Sequence, residues 1–174
     1  SGAVIQSLLR NPLASPFTLG ISGASAFGAA FAIIVLGAGS SYAGSNDIPL
    51  VTQPYLVTGS AFVWSLGSVA VILLLSRYRG ATPEIIILSG IIISSLFAAG
   101  ISAMQYFADH VQLASIVFWT FGDLGRASWK GTLILGIILI PVLIFFIFQR
   151  WNYKSLNSGD DYAKSLGVNV TRVR

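Results

Sequence analysis

Four long stretches of this chain, 17–39, 55–76, 84–108 and 131–149, carry no charge in their interiors, Glu84 being a terminal position. A helix needs about 20 mostly apolar residues to cross a hydrocarbon core of about 30 Å, and each stretch meets that length. Composition agrees: 55% of the 174 residues are hydrophobic, 9% are charged, and the mean hydropathy is +0.80. An ordinary soluble domain carries about 25% charged residues, and a soluble fold of this size has too little interior to hide so much apolar surface. The predicted class is an all-α integral membrane protein, a polytopic helical bundle with four complete spans. Residues 1–9 read as the end of a truncated further span.

The connections carry matching punctuation. Asn11-Pro12 and Ser15-Pro16 separate the first fragment from the next helix, and 46–54 is a polar loop with two prolines. Thr82-Pro83-Glu84 is a helix start: a cap hydroxyl, a proline at the first position and an acid facing the helix dipole. Orientation follows from the basic residues. With loops numbered alternately, Arg10, Arg77, Arg79, Arg150, Lys154, Lys164, Arg172 and Arg174 share one side, and only Arg126 and Lys130 lie on the other. The first side is the cytoplasmic one, receiving 10–16, 77–83 and 150–174. The net charge of +4 is thereby a topology signal and not a nucleic-acid footprint. Low charge and high hydropathy exclude disorder, and the absence of cysteine excludes a disulfide scaffold.

Segment 109–130 is too long for a tight connection and too polar for a span. Trp119 and Trp129 flank Gly122 and Gly125. Either a short helix at the outer interface or an ordinary structured loop suits it.

Within lipid, close helix packing needs small residues on the contact face. Gly20, Ala24, Gly28 and Ala32 recur at every fourth position of the first span, and Gly90, Ser94, Ala98 and Ser102 do so in the third. These stripes serve helix packing or line a pathway for solute; spacing alone does not separate the two.

Chemical machinery is sparse. The spans hold serines, Thr58 and Gln105 but no carboxylate or histidine of the kind that ion-coupled transporters keep within the membrane. No GxxxxGK[ST] phosphate loop is present, so any ATP hydrolysis belongs to a partner. Ser22 stands in a GxSG sequence, yet His110 is three spans away and no triad forms. The sequence assigns no catalytic residue, no metal ligand and no cofactor.

Two stretches go further than composition. Residues 2–24 read GAVIQSLLRNPLASPFTLGISGA, and 157–174 read NSGDDYAKSLGVNVTRVR. The first resembles the G…Q…RNPLA-x-P-x-x-LG…GA segment of the FecCD family, the permeases of ATP-binding-cassette importers for iron-siderophores, haem and cobalamin. Gln6, Arg10, Asn11, Pro12, Leu13, Ala14, Pro16 and Gly20 carry that match. The second resembles the family's cytoplasmic segment LG-x-x-x-A-x-x-LG-V through Gly159, Ala163, Leu166 and Gly167, with Ser158 in place of the first leucine. Phe118-Trp119-Thr120-Phe121-Gly122-Asp123-Leu124 and Trp129 resemble the family's W-x-x-G-x-L…W outer segment. The resemblance covers essentially the whole chain, which corresponds to about half of a family permease.

The resemblance implies a multi-pass permease of a prokaryotic plasma (inner) membrane that does no chemistry itself. Its implied partners are membrane lipid, a second permease subunit in a homodimer, cytoplasmic ATPase subunits and an extracytoplasmic solute-binding protein delivering ferric siderophore or a related chelate. The ATPase would engage Gly159, Asp160, Asp161, Ala163, Leu166 and Gly167. On residue chemistry alone that segment is a short helix with acids at its start and Gly167 after its end, suited equally to a partner's groove or to its own membrane domain. Arg126 and Lys130 are candidates for binding-protein contact, with solvation or lipid headgroups as the competing reading. The rival function is a structural anchor subunit of a membrane complex with no translocation path.

Overall fold

The computed structural model describes residues 2–9, 11, 14–39, 41–42, 49–50, 53–79, 83–122, 128–157, 159 and 165–168. The described elements are α1 (Gly2–Leu9), α2 (Ile21–Ile34), β1 (Ser41–Tyr42), β2 (Pro49–Leu50), α3 (Pro54–Arg79), α4 (Pro83–Phe107), α5 (His110–Phe121) and α6 (Trp129–Asn157). Among the described residues the regular structure is helical apart from a two-residue antiparallel ladder, in which Ser41 pairs with Leu50 and Tyr42 with Pro49. The sequence reading placed Pro49 and Leu50 in a plain loop. A proline fits this ladder because a two-stranded pair consists only of edges.

Three helices among the described residues are long and apolar enough to cross a membrane: Pro54–Leu75, Glu84–Phe107 and Trp129–Ser155. The stretch 17–39 departs from its expectation of one continuous spanning helix. A turn occupies residues 16–20 and the helix itself covers only Ile21–Ile34, 14 residues, or about 21 Å at 1.5 Å per residue. Gly20 stands before it with φ +71°, a left-handed backbone that glycine adopts without a side-chain clash. At the other end the Val35 and Leu36 amides both reach the Phe31 carbonyl, and the Ala38 amide reaches that of Ala32, which satisfies carbonyls that a terminating helix leaves open. Non-helical backbone at membrane depth is tolerated where protein covers it, and α2 is largely covered: Ala24, Gly28, Ala29, Ala30, Ala32 and Ile33 are buried.

Residues 16–122 form one compact unit and residues 1–15 with 123–174 another. In the first, α2 packs against α3, α4 and α5. Its core joins Ala29, Ala30, Ala32, Ile33 and Ala38 to Val57 and Ala61 of α3 and to Ile116 of α5. Segment 109–130 proves to hold a helix: Asp109 accepts from the Gln112 amide at 2.7 Å while the Gln112 side chain accepts from the Asp109 amide at 3.2 Å. This reciprocal pair satisfies amides at a helix start that would otherwise lack partners. In the second unit α1 packs on α6. The α6 helix is longer than its apolar stretch, running through Pro141 and on into the basic segment as far as Asn157, with Ser128 accepting from the Gly131 amide at its start.

Candidate functional site

The residues singled out from the sequence fall into a packing seam around α2, a turn ahead of it, and the segment that follows α6. The seam is built from the α2 stripe. Gly20, Ala24, Gly28 and Ala32 are all buried, but they do not face one neighbour. Residues four apart on a helix with 3.6 residues per turn drift by about 40° each step, so the stripe winds around α2. At Gly20 it meets α4: a Cβ there would lie 3.0 Å from the Gly90 carbonyl oxygen and 3.1 Å from the Ser94 hydroxyl. At Gly28 it meets α3: a Cβ would lie 2.8 Å from both the Ala61 Cα and the Ser60 carbonyl oxygen. By Ala32 it has reached the core shared with Val57 and Ile116.

The α4 stripe fares differently. Gly90 is buried and Ser94 half-buried, whereas Ala98 and Ser102 are exposed in this chain. The same drift explains the split: three steps of four residues turn the stripe by about 120°, off the face that α2 covers. The packed face of α4 instead follows steps of three and four residues, through Gly90, Ile93, Phe97, Gly100 and Met104. A Cβ on Gly100 would press on the Phe27 ring at 2.7 Å, Phe97 packs on that ring with centroids 5.2 Å apart, and Met104 packs on the core.

Two features of the seam escaped the sequence reading. One is an aromatic cluster of Phe27, Phe31, Trp64 and Phe97, with ring centroids 4.8 Å apart for Phe27 and Trp64 and 6.1 Å for Trp64 and Phe97. It joins α2, α3 and α4 beside the small residues. The other is polar. The Ser60 hydroxyl donates to the Gly28 carbonyl at 2.7 Å, and the Ser25 and Ser65 hydroxyls meet at 2.6 Å. Hydroxyl bonds between helices hold a bundle where water does not compete. The signal was present as Ser25 and Phe27 on α2 and Ser60, Trp64 and Ser65 on α3, but pairing them needs the helix register.

The other sites are more dispersed. Of the turn motif, Arg10, Pro12 and Leu13 lie outside the described residues. The Asn11 amide donates to the Gln6 carbonyl at 3.2 Å, and the Ala14 amide to that of Asn11 at 3.1 Å, a tight reversal with Ala14 buried. Pro16 opens the separate turn that ends at Gly20. In the coupling segment Asp160, Asp161 and Ala163 lie outside the described residues. Ser165 is helical, Leu166 is exposed, and Gly167 has φ +78°, the left-handed backbone that closes a helix; Gly159 has φ +124°. Arg126 lies outside the described residues, and Lys130 is exposed in the first turn of α6 beside Trp129. No group of three or more His, Cys, Asp or Glu able to hold a metal ion occurs among the described residues. The seam packs α2 closely on α3 and α4, and the residues named in it include no carboxylate, histidine or lysine.

Comparison with known proteins follows the same lines. The FecCD transport family matches residues 1–174. A protein of Methanocaldococcus jannaschii described as an ABC transporter permease is 53% identical over 174 residues, all of this chain and 49% of that protein. The hemin transport system permease of Yersinia pestis is 32% identical over the whole chain and 49% of its own length. The molybdate import system permease of Haemophilus influenzae is 31% identical, over the whole chain and 48% of its own length. Among solved structures, a metal-chelate type ABC transporter in an inward-facing conformation superposes with a TM-score of 0.81 at 28% identity, covering 99% of this chain and 50% of that one. The chain thus spans about half the length of the relatives it matches.

Proposed function

The chain belongs to the FecCD transport family, and from that membership we propose that it forms half of the transmembrane permease of an ATP-driven importer for a metal chelate. The match over all 174 residues carries this reading. It is a multi-pass protein of a prokaryotic inner membrane. Its relatives include permeases named for hemin, vitamin B12, molybdate and iron chelatin, and within that range we assign a ferric siderophore or related chelate as the solute.

In this mechanism two permease subunits enclose the pathway, and an extracytoplasmic binding protein delivers the solute near Arg126 and Lys130. A cytoplasmic ATPase dimer presses on Gly159–Gly167 of each subunit. The permease supplies shape change. The α2 seam supports that role: glycines at Gly20, Gly28 and Gly90 bring backbones into contact, so α2, α3 and α4 respond to a push as one packed body. Packed cores switch between discrete arrangements and do not deform continuously.

The test is uptake by the full-length protein reconstituted with its ATPase and binding protein. ATP-dependent accumulation of a ferric siderophore, with none of hemin, cobalamin or molybdate, is the expected result. Accumulation of one of the other three would keep the importer and replace the solute. No ATP-dependent uptake of any of the four by an assembled complex would favour the anchor reading.

A further inference from the structure

We propose that Ser25 and Ser68 share the Ile21 carbonyl as a common acceptor, which gives the α2–α3 seam two discrete hydrogen-bond arrangements. The register between the two helices places these residues together. Ala32 and Val57 share the core, a Cβ on Gly28 would lie 2.8 Å from the Ala61 Cα, and the Ser25 and Ser65 hydroxyls are 2.6 Å apart. Each step of three or four residues back along α2 thus matches one of three or four forward along α3, and the next step sets Ser68 level with Ile21. Ser68 is buried, and its hydroxyl has no partner among the described residues. Ser65, Ser94, Ser95 and Ser102 all donate to the carbonyl four residues back in their own helices, the ordinary outlet for a helical serine. Ser68 does not take it. Val57, Ala61 and Ile72, spaced along the same stripe of α3, are buried with it, so its hydroxyl belongs to the seam.

Ile21 explains why the Ser68 hydroxyl is idle. A carbonyl oxygen has two lone pairs. In an α-helix one takes the amide four residues on, and at Ile21 the Ser25 hydroxyl takes the other at 3.0 Å. Ser25 has an alternative acceptor in Ser65. In the second arrangement Ser25 donates to the Ser65 oxygen, Ser65 donates to the Ala61 carbonyl, to which it already lies at 2.7 Å, and Ser68 donates to the vacated Ile21 carbonyl. All three protons are then used, whereas the arrangement seen here leaves that of Ser68 idle. Contact with α4 holds the seam as it is. A Cβ on Gly20, next to Ile21, would lie 3.0 Å from the Gly90 carbonyl oxygen, so the first turn of α2 reaches Ser68 only by leaving that close approach. One more hydrogen bond on the α3 side is set against close packing on the α4 side, the balance that makes an element two-state. Its use in a transport cycle rests on the importer reading; the shared acceptor itself does not.

The test is thermal unfolding of the full-length protein in detergent, with Ser68→Ala introduced into three backgrounds. It needs no ATPase and no solute, so it stands or falls apart from the importer reading. In the otherwise unaltered protein Ser68→Ala removes an idle hydroxyl, and the unfolding temperature is expected to rise by on the order of 1–2 °C. In the Ser25→Ala background the Ile21 carbonyl is open to Ser68, and the same substitution is expected to lower the temperature by a similar amount. Ser60→Ala removes a seam hydroxyl that does not compete for Ile21, and in that background Ser68→Ala is expected to raise the temperature again. A rise of equal size in all three backgrounds would overturn the proposal, because Ser25 and Ser68 would then be uncoupled. So would a fall in the otherwise unaltered protein, which would mean that Ser68 is already paired. A reversal in the Ser60→Ala background as well would also overturn it, since general loosening of the seam would then account for the change of sign.

Discussion

The Ser60 hydroxyl donates to the Gly28 carbonyl at 2.7 Å, at the point where a Cβ on Gly28 would meet the α3 backbone at 2.8 Å. One polar bond and one missing side chain thus set how close α2 and α3 come. Gly28→Ala would force the two backbones apart. The expected cost is about 1–3 kcal/mol, the range for overpacking a tight interior. Thermal unfolding of the full-length protein in detergent reads it. Gly67→Ala on α3, where a Cβ meets nothing within 4 Å among the described residues, is expected to gain about 0.5–1 kcal/mol from helix propensity. Equal effects at the two positions would contradict the packing account.

Ser25 and Ser65 share a contact for which they hold too few protons. Each hydroxyl also lies in donating position to its own helix, Ser25 to the Ile21 carbonyl at 3.0 Å and Ser65 to the Ala61 carbonyl at 2.7 Å. Each hydroxyl has one proton, so one of the three bonds is always unmade. Ser65→Ala is therefore expected to cost little, about 0.6 kcal/mol as for typical hydroxyl bonds between membrane helices. Ser60→Ala, whose hydroxyl donates without such competition, is expected to cost more. A double-mutant cycle of Ser25→Ala and Ser65→Ala gives the coupling directly, and a coupling well above that of Ser60 with its partner helix would contradict the assignment.

Ser68 presents the opposite case. It is 2% exposed, and its hydroxyl has no hydrogen-bond partner among the described residues. A buried polar group left unpaired costs free energy. Ser68→Ala is expected to raise stability by on the order of 1 kcal/mol. A loss of stability would show that the hydroxyl has a partner in the complete protein.

Asp109 caps α5 through the Gln112 amide, and Asp109→Ala is expected to destabilise that helix by about 1 kcal/mol. Hydrogen exchange in residues 110–113 is the sensitive measurement, because the effect falls within the first turn. Asp109→Asn, which retains an acceptor oxygen, is expected to lose much less.

The membrane class and three of the long helices were legible in the sequence, because length and missing charge are properties of the chain alone. The short α2 was not. Nothing in the apolar run 17–39 marks where protein replaces lipid as the cover, and Gly20 reads as one more stripe residue until its φ of +71° is known. The α2 stripe meets neighbours on several sides, whereas Ala98 and Ser102 of the α4 stripe are exposed in this half-length chain; which face of α4 meets α2 is set by register that the spacing does not carry. The aromatic cluster and the serine pairs depend on register between helices, which a single sequence does not carry. Gly167 was legible because its place in a turn follows from local chemistry.

On the proposed importer function, the segment after α6 receives the push of an ATPase. The chain contains no cysteine, so Ala163→Cys in the full-length protein, with any cysteine outside this segment removed, gives a single reactive position in the segment. Cross-linking in native membranes is predicted to capture an ATPase subunit, with a yield that changes when ATP is added. An intact, folded protein that cross-links to no ATPase, with or without ATP, would contradict the importer account and leave the anchor reading in its place.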